Sequence, residues 1–164
     1  MPSVAYIPTM KIAVSTDERT PLVDTVLDEL EERGHDVIYF GPEGDDSVDW
    51  PVVTGQAIDL VTSGKADEGV VMCWTGTGAS MAANKTKGIR AALCHDAETA
   101  KGARTWNHAN VLALSLRATS DAMAKEILNA WFDTPYSDDK WNLKQIERIR
   151  KLEQEQPPSS DSGT

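Results

Sequence analysis

Five short apolar runs alternate along the chain with segments whose apolar residues recur every three or four positions. Lys11–Ser15 (KIAVS), Asp36–Phe40 (DVIYF), Gly69–Cys73 (GVVMC), Ile89–Cys94 (IRAALC) and Asn110–Leu114 (NVLAL) have the length and content of buried strands. Between the first two, Pro21–Arg33 carries Leu22, Val23, Val26, Leu27 and Leu30 on one helical face, with Pro21 at a first helical position and Gly34 as a C-terminal cap. Further helices are expected over Pro51–Ser63 (ended by Gly64), from about Ala79 to Asn84, and over Ala97–Trp106, Asp121–Phe132 and Asp139–Glu155. Apolar strands alternating with helices predict a parallel sheet covered on both faces. The expected fold is therefore a three-layer, Rossmann-like α/β domain with a five-stranded parallel sheet flanked by helices. It occupies residues 11–155, after a short extension over 1–10 and before a Pro/Ser-rich tail over 156–164 that is expected to be disordered.

Ligands on such sheets bind where strands end and loops lead into helices. That rule selects Thr16–Thr20, Cys73–Ser80, His95–Asp96 and Leu116–Arg117. The richest of these is Cys73-Trp74-Thr75-Gly76-Thr77-Gly78, between a strand and a helix. Glycines there let backbone N–H groups face a ligand at a helix start, which favours anions or developing negative charge. A dinucleotide site would need a third glycine near Met81 and an acid about 20 residues on, and the glycine is missing. Cys73 ends its strand, so its thiol is a candidate base if neighbouring dipoles or a cation favour the thiolate. Read from pattern alone, a small core residue and a ligand-free tight connection remain open.

Length fits one domain with one core. The net charge of −10 gives no electrostatic case for nucleic acid or an anionic membrane, and no apolar run reaches the ~20 residues of a bilayer span. Met1–Thr9 lacks the basic start and apolar stretch of a signal peptide, so a cytoplasmic protein is expected. The two cysteines, Cys73 and Cys94, do not form a disulfide framework. No cluster has metal-ligand spacing.

The run CWTGTGASMAANKTKGIRAAL from Cys73 to Leu93, followed by Asn107-His108-Ala109-Asn110-Val111-Leu112, resembles the type B ribose-5-phosphate isomerases and galactose-6-phosphate isomerases. These carry Cys-Gly-Thr-Gly-x-Gly, Ala-Ala-Asn-Lys, Gly-Ile-Arg-Ala-Ala and Asn-Asp-Ala-Asn-Val-Leu. The resemblance spans roughly Lys11 to Leu152. It implies an aldose–ketose isomerase acting through an enediolate on a small, phosphorylated sugar, with no metal or organic cofactor. By resemblance Cys73 is the base and Thr75 its supporting hydroxyl. Some members use a glutamate six residues after the cysteine, but that position here is Ala79. The resemblance further implies Asp17, Gly76, Gly78, Ala79, Ser80, Trp106, Asn107 and His108 as the substrate-binding set. Arg117 and the pair Lys140 and Lys144, four apart on one helix face, are implied as the phosphate site. Family pockets are completed by a neighbouring subunit, so a homodimer or dimer of dimers is expected.

The chain departs from the family at several of these positions. Trp74 replaces a glycine beside the base. Trp106 replaces the ring-opening histidine, while His108 lies two residues later, where the family has aspartate or asparagine. Asp17-Glu18-Arg19-Thr20 replaces Asp-His-Ala-Gly, and Glu18 repels a phosphate beside it. His35 is read as structural, and His95 as near the pocket or as a helix cap. Two alternatives follow from these departures. One is an isomerase of an open-chain tetrose or tetrulose 4-phosphate, or of a non-phosphorylated sugar, which needs no ring opener. The other is a non-catalytic sugar-binding protein on the same fold.

Overall fold

In β1 (Lys11–Thr16), Ile12 and Val14 point to one side of the sheet and Ala13 to the other, all three fully buried. The same alternation holds in β3 (Glu68–Cys73), with Val70 and Met72 opposite Val71 and Cys73. It recurs in β5 (Val111–Ser115), where Leu112 and Leu114 oppose Val111 and Ala113. The period of two is that of a strand, and burial on both sides is that of a central parallel sheet. With β2 (Asp36–Phe40) and β4 (Ala91–Leu93) the order is β2-β1-β3-β5-β4, all parallel. These elements come from a computed structural model that describes residues 8–155. The tail over 156–164 and all but residues 8–10 of the expected extension lie outside the described residues.

Large side chains cover one face of the sheet, where α1 (Pro21–Glu32), α4 (Ala97–Asn107) and α5 (Asp121–Asp133) pack through residues such as Leu22, Val26, Leu30, Ile127, Leu128 and Trp131. The other face presents mostly small residues to α2 (Trp50–Thr62) and α3 (Thr77–Ala83), among them Ala57, Ala79 and Ala83. The Cys73 side chain belongs to this second layer. The chain leaves the central strands in opposite directions at β1 and β3, so their carboxyl ends form the switch point where such sheets bind ligands.

Most element ends differ from the sequence expectation by one residue, and the starts of the fourth strand and the third helix differ by two. The fourth strand is Ala91–Leu93 rather than Ile89–Cys94, because this edge strand is paired with β5 only over Ala91 to Leu93. Its outer edge is closed by Asn84, whose side chain accepts from the Ala91 N–H at 2.8 Å and donates to the Ala91 carbonyl at 2.9 Å. An amide that mimics a strand partner in this way protects an exposed edge. The third helix begins at Thr77, so Gly78 lies within its first turn. The last helix, α6 (Lys140–Glu155), begins one residue after Asp139, whose Oδ1 accepts from the Asn142 N–H at 2.9 Å.

A buried charge network fixes the amino ends of the strands. Glu68, 6% exposed, accepts from Arg104 at 2.8 Å on one oxygen and from the Trp131 indole N–H at 2.7 Å on the other. The Arg104 guanidinium also donates to the Ala109 carbonyl and stacks on Trp131 and Tyr136. Burial pushes the Glu68 carboxyl above its ordinary pKa, with Arg104 pulling it back. Arg104→Met, which strands a buried carboxylate, is expected to cost about 3–5 kcal/mol in urea unfolding. Glu68→Leu combined with Arg104→Met should cost less than the sum of the two single changes, since neither charge is then left alone.

Candidate active site

Three loops meet at the carboxyl ends of β1, β2 and β3. Their convergence is fixed by backbone bonds, including Val48 N–H to the Asp17 carbonyl at 3.0 Å. Asp17, Trp50, Cys73, Trp74, Thr75, Thr77 and Gly78 line one cleft of about 240 Å³. Pairing between β3 and β5 continues past the strand end, with Leu116 N–H on the Cys73 carbonyl and Arg117 N–H on the Trp74 carbonyl, each at 3.0 Å. Ser115 Oγ adds a second bond to the Trp74 carbonyl at 3.0 Å. The segment carrying Cys73 and Trp74 is therefore held on its backbone while their side chains face the cleft.

Gly76 turns the chain from this segment into α3. Its φ is +76°, and a Cβ there would lie 2.6 Å from Leu93 Cδ1 and 2.9 Å from the Leu114 carbonyl carbon. Only glycine satisfies both demands. After it, the N–H groups of Thr77, Gly78 and Ala79 form a first helical turn, which has no acceptor within the helix. Thr75 Oγ1 and Thr77 Oγ1 lie 2.7 Å apart at the mouth. Ala79 is fully buried and presents no carboxylate, and Ser80 is partly exposed one residue on.

Cys73 is 5% exposed at the cleft floor. Cys94 is completely buried on the other face of the sheet, and burial pushes its thiol up to about 12, so it stays protonated at neutral pH. Asp17 faces Cys73 across the cleft. Burial raises its pKa against the lowering effect of its own and the Glu18 backbone N–H. Its Oδ1 is buried with no hydrogen-bond partner among the described residues, as is Thr20 Oγ1 on the same loop. Arg19 turns away from the cleft: it pairs with Asp24 at 2.5 Å and stacks over Tyr39. Glu18 is exposed. Arg117 is exposed beside the Trp74 carbonyl, and its side chain makes no ion pair among the described residues.

The remaining expected site residues lie elsewhere. Helix α4 runs against the strand direction, so Trp106, Asn107 and His108 at its end reach the amino ends of the strands. The bonds there confirm the placement: Asn110 N–H to the Arg90 carbonyl, Arg90 Nε to the Asn107 and His108 carbonyls, and Ser137 N–H to the Thr105 carbonyl. Gly69 pairs with Val111 and Cys73 with Ser115, so about 13 Å of strand separates the two ends. Lys140 and Lys144 are exposed on α6, which is anchored at this same end through Asn142 to the Thr105 carbonyl and Glu153 to Gly88 N–H. One chain thus brings together Asp17, Cys73, Thr75, Gly76, Gly78 and Arg117, and carries Trp106, Asn107, His108, Lys140 and Lys144 on the opposite end.

The histidines take distinct places. His108 is 9% exposed in the left-handed region at φ 48°, stacked on Tyr136 at 4.4 Å. Its Nε2 lies 2.8 Å from the Ser137 carbonyl and 3.1 Å from Asn142 Nδ2, so this nitrogen is engaged within its own chain. His35 accepts from the Met10 N–H through Nδ1 and packs on Phe132, and burial lowers its pKa. At the start of α4 the cap is Asp96, accepting from the Thr99 N–H at 2.7 Å, and His95 is exposed beside it. Trp50 is a cleft residue that sequence reasoning did not select, whereas Thr77 lies within the selected Cys73–Ser80 loop. The same strand-end rule, applied to the loop after β2, points to Trp50.

Among the described residues no group of three or more His, Cys, Asp or Glu side chains is placed to hold a metal ion. No described helix is long and apolar enough to cross a membrane.

The sequence pattern of the Ribose/Galactose Isomerase family matches residues 12–152. The chain is 36% identical to the ribose-5-phosphate isomerase B of Escherichia coli over 79% of its own length and 86% of that relative. It is also 36% identical to a D-erythrulose-4-phosphate isomerase of Pectobacterium atrosepticum, covering 77% of this chain and 85% of the relative. The fold superposes on the ribose-5-phosphate isomerase B of Clostridium thermocellum with a TM-score of 0.83 at 36% identity, covering 88% of this chain and 98% of that one. A parallel sheet in this strand order, with Cys73 at the switch point and the matching motifs around it, places the chain in the ribose/galactose isomerase family of sugar isomerases.

Proposed function

We propose that the protein interconverts an aldose and a ketose of a small phosphorylated sugar, with Cys73 as the base. The observation that carries this reading is the cleft: one thiol at its floor, hydroxyls of Thr75 and Thr77 beside it, Asp17 opposite, and the first turn of α3 closing it. As a thiolate, Cys73 takes the proton from the carbon next to the substrate carbonyl and returns it to the neighbouring carbon. The enediolate formed between the two transfers gathers negative charge on oxygen. The N–H groups of Thr77, Gly78 and Ala79 are oriented to stabilise that charge. Thr75 moves the hydroxyl proton that must shift between the two oxygens. Asp17 and Thr20 hold substrate hydroxyls, which would satisfy their unpartnered oxygens. Cys73→Ala is expected to lower turnover at least about 100-fold and to abolish solvent-deuterium exchange at the substrate carbon, with binding retained. Near-normal exchange in that variant removes Cys73 from the role.

We infer further that the working site is shared between two copies of the chain, the second supplying Asn107 and the cations Lys140 and Lys144 to the cleft of the first. Support comes from the family resemblance together with the distance between the two halves of the set. Exposed Trp106 and Trp141, 61% and 67% accessible, lie on the surface that would meet a partner. Complementation tests this. Cys73→Ala and Asn107→Ala proteins, each inactive alone, should recover about a quarter of wild-type activity when mixed and reassembled, because half of the statistical dimers then hold one intact site. No recovery, with mixed dimers shown by mass, means that each site is built from one chain.

The substrate within this class is best read as one already open. The position that opens sugar rings in relatives holds Trp106, whose indole has no basic nitrogen. His108, the nearest histidine in sequence, is engaged with Ser137 and Tyr136. A tetrose or tetrulose phosphorylated at its terminal oxygen cannot close the ring through that oxygen and so needs no opener. A panel of tetrose, pentose and hexose phosphates is expected to give the highest kcat/KM with the four-carbon pair, and His108→Asn should change that value little. Ribose 5-phosphate turnover that exceeds it and collapses in His108→Asn returns the ring-opening role to His108.

A further inference from the structure

Two indole side chains stand at the rim of the Cys73 cleft, and neither is needed to fill the core. Trp74 is 54% exposed and Trp50 40% exposed. Each is rooted for a different reason. Trp74 follows Cys73, and its carbonyl is held by both Ser115 Oγ and Arg117 N–H. Trp50 opens α2 just ahead of Pro51, and its ring lies against Gly78, where an added Cβ would come within 3.2–3.3 Å of three ring carbons. The second glycine of the loop thus serves as the seat of an aromatic ring. Neither indole N–H has a hydrogen-bond partner among the described residues; the one bonded indole there is Trp131. The aromatic pairs in the described structure are His35–Phe132 and His108–Tyr136, so the two rings line the cleft without stacking on one another.

A cleft lined by two indoles whose N–H groups have no partner among the described residues, together with Asp17, Thr75 and Thr77, suits a ligand with C–H faces and hydroxyl edges. That is the chemistry of a polyol. The share of the cleft built by one chain encloses about 240 Å³, just under the ~300–1,000 Å³ of ordinary ligand pockets. We propose that Trp50 and Trp74 form an aromatic clamp that stacks on the carbon chain of an open-chain sugar phosphate beside Cys73 and sets the chain length accepted. Trp74 is the length-limiting wall, because its bulk stands immediately after the base. This deepens the isomerase reading and rests on it for the reaction, though not for binding.

The test has two arms. In steady-state kinetics, Trp74→Gly is expected to raise KM for a tetrulose 4-phosphate about tenfold, or ~1.4 kcal/mol, with a much smaller change in kcat. It should also raise kcat/KM for ribulose 5-phosphate and for a hexulose 6-phosphate relative to the four-carbon substrate. Trp74→Phe, which keeps a stacking face, should restore most of the affinity. Unchanged KM and unchanged length preference in Trp74→Gly overturn the clamp, as does an equal loss at every chain length through kcat alone. The second arm uses the inert Cys73→Ala protein and erythritol 4-phosphate, an open-chain probe that cannot isomerise. Adding it should change tryptophan emission, and Trp50→Leu with Trp74→Phe in the same background should remove most of the change. Absence of any signal while the wild-type enzyme turns over through Cys73 overturns the clamp and leaves the isomerase reading intact. A signal that persists although Cys73→Ala proves fully active does the reverse. Dissociation of Trp74→Gly to monomers by light scattering assigns the indole to a subunit contact and overturns the clamp.

Discussion

The cleft depends on one turn of backbone. After Cys73 the chain must leave the sheet, pass over the end of β5 and enter a helix within four residues, while Leu93 and Leu114 already occupy the space beneath. Gly76, at φ +76°, is the point at which this becomes possible. Any side chain there meets two obstacles at once, an unfavourable backbone region and a Cβ pressed into Leu93 and the Leu114 carbonyl. The consequences run outward from that residue. Strand β3 stops at Cys73 instead of continuing, Thr75 and Thr77 are left at the mouth within hydrogen-bond distance, and the first turn of α3 is aimed across the cleft. A glycine in this place converts the end of a buried strand into a thiol facing solvent-accessible space.

The second constraint is directional. In a parallel sheet every loop after a strand is at one end and every loop before a strand is at the other. Asn107 precedes β5 and Cys73 follows β3, so no local rearrangement can bring them together in one chain. The network of Glu68, Arg104, Trp131 and Tyr136 makes the far end rigid, with Tyr136 and Arg104 both bonded to the Ala109 carbonyl and His108 stacked on Tyr136. That rigidity is what a surface needs if it is to present Asn107 and two lysines in fixed positions to another subunit. It also explains why His108 is a component of the scaffold. A ring held in a left-handed backbone position, stacked and hydrogen-bonded through Nε2, is specified by its own chain.

Much of this was legible in the sequence, and the residues show why. Alternation of Val70 and Met72 with Val71 and Cys73 reads as a strand buried on both sides, and the structure places those pairs in different layers. Pro21 and Gly34 bracket the first helix as their chemistry requires, with Gly34 at φ +83°. The short fourth strand was not legible, because its end is set by Asn84, a residue of another element that closes its edge. The start of α3 was misplaced because glycine reads as a loop residue, whereas Gly78 is helical and accommodates Trp50. The split of the expected site residues follows from element order in a parallel sheet, since Asn107 lies before the fifth strand and Cys73 ends the third, and motif spacing alone does not carry it. Trp50 escaped selection although the strand-end rule covers its loop, because a tryptophan before Pro51 reads first as a helix start.

The departures from the family pattern fall together in space or in consequence. Trp74 adds bulk to the wall beside Cys73, and Trp106 stands where the family resemblance implies a ring-opening histidine. A pocket narrowed at Cys73 is of little use to a cyclic pentose or hexose, and an enzyme without a ring opener has no need of room for one. Each change alone is a loss relative to relatives that handle cyclic sugars. Taken together they fit the short, open substrate proposed above. The acidic surface agrees with a local solution to phosphate binding. With a net charge of −10, an anion is held only where cations are left unpaired near a desolvated cleft. Arg19, the cation on the first loop, is neutralised by Asp24. Arg117 remains unpaired at the cleft end, as Lys140 and Lys144 do at the other end, among the described residues. In the proposed shared site, bringing those two ends together across a subunit boundary would let all three charges converge on one substrate.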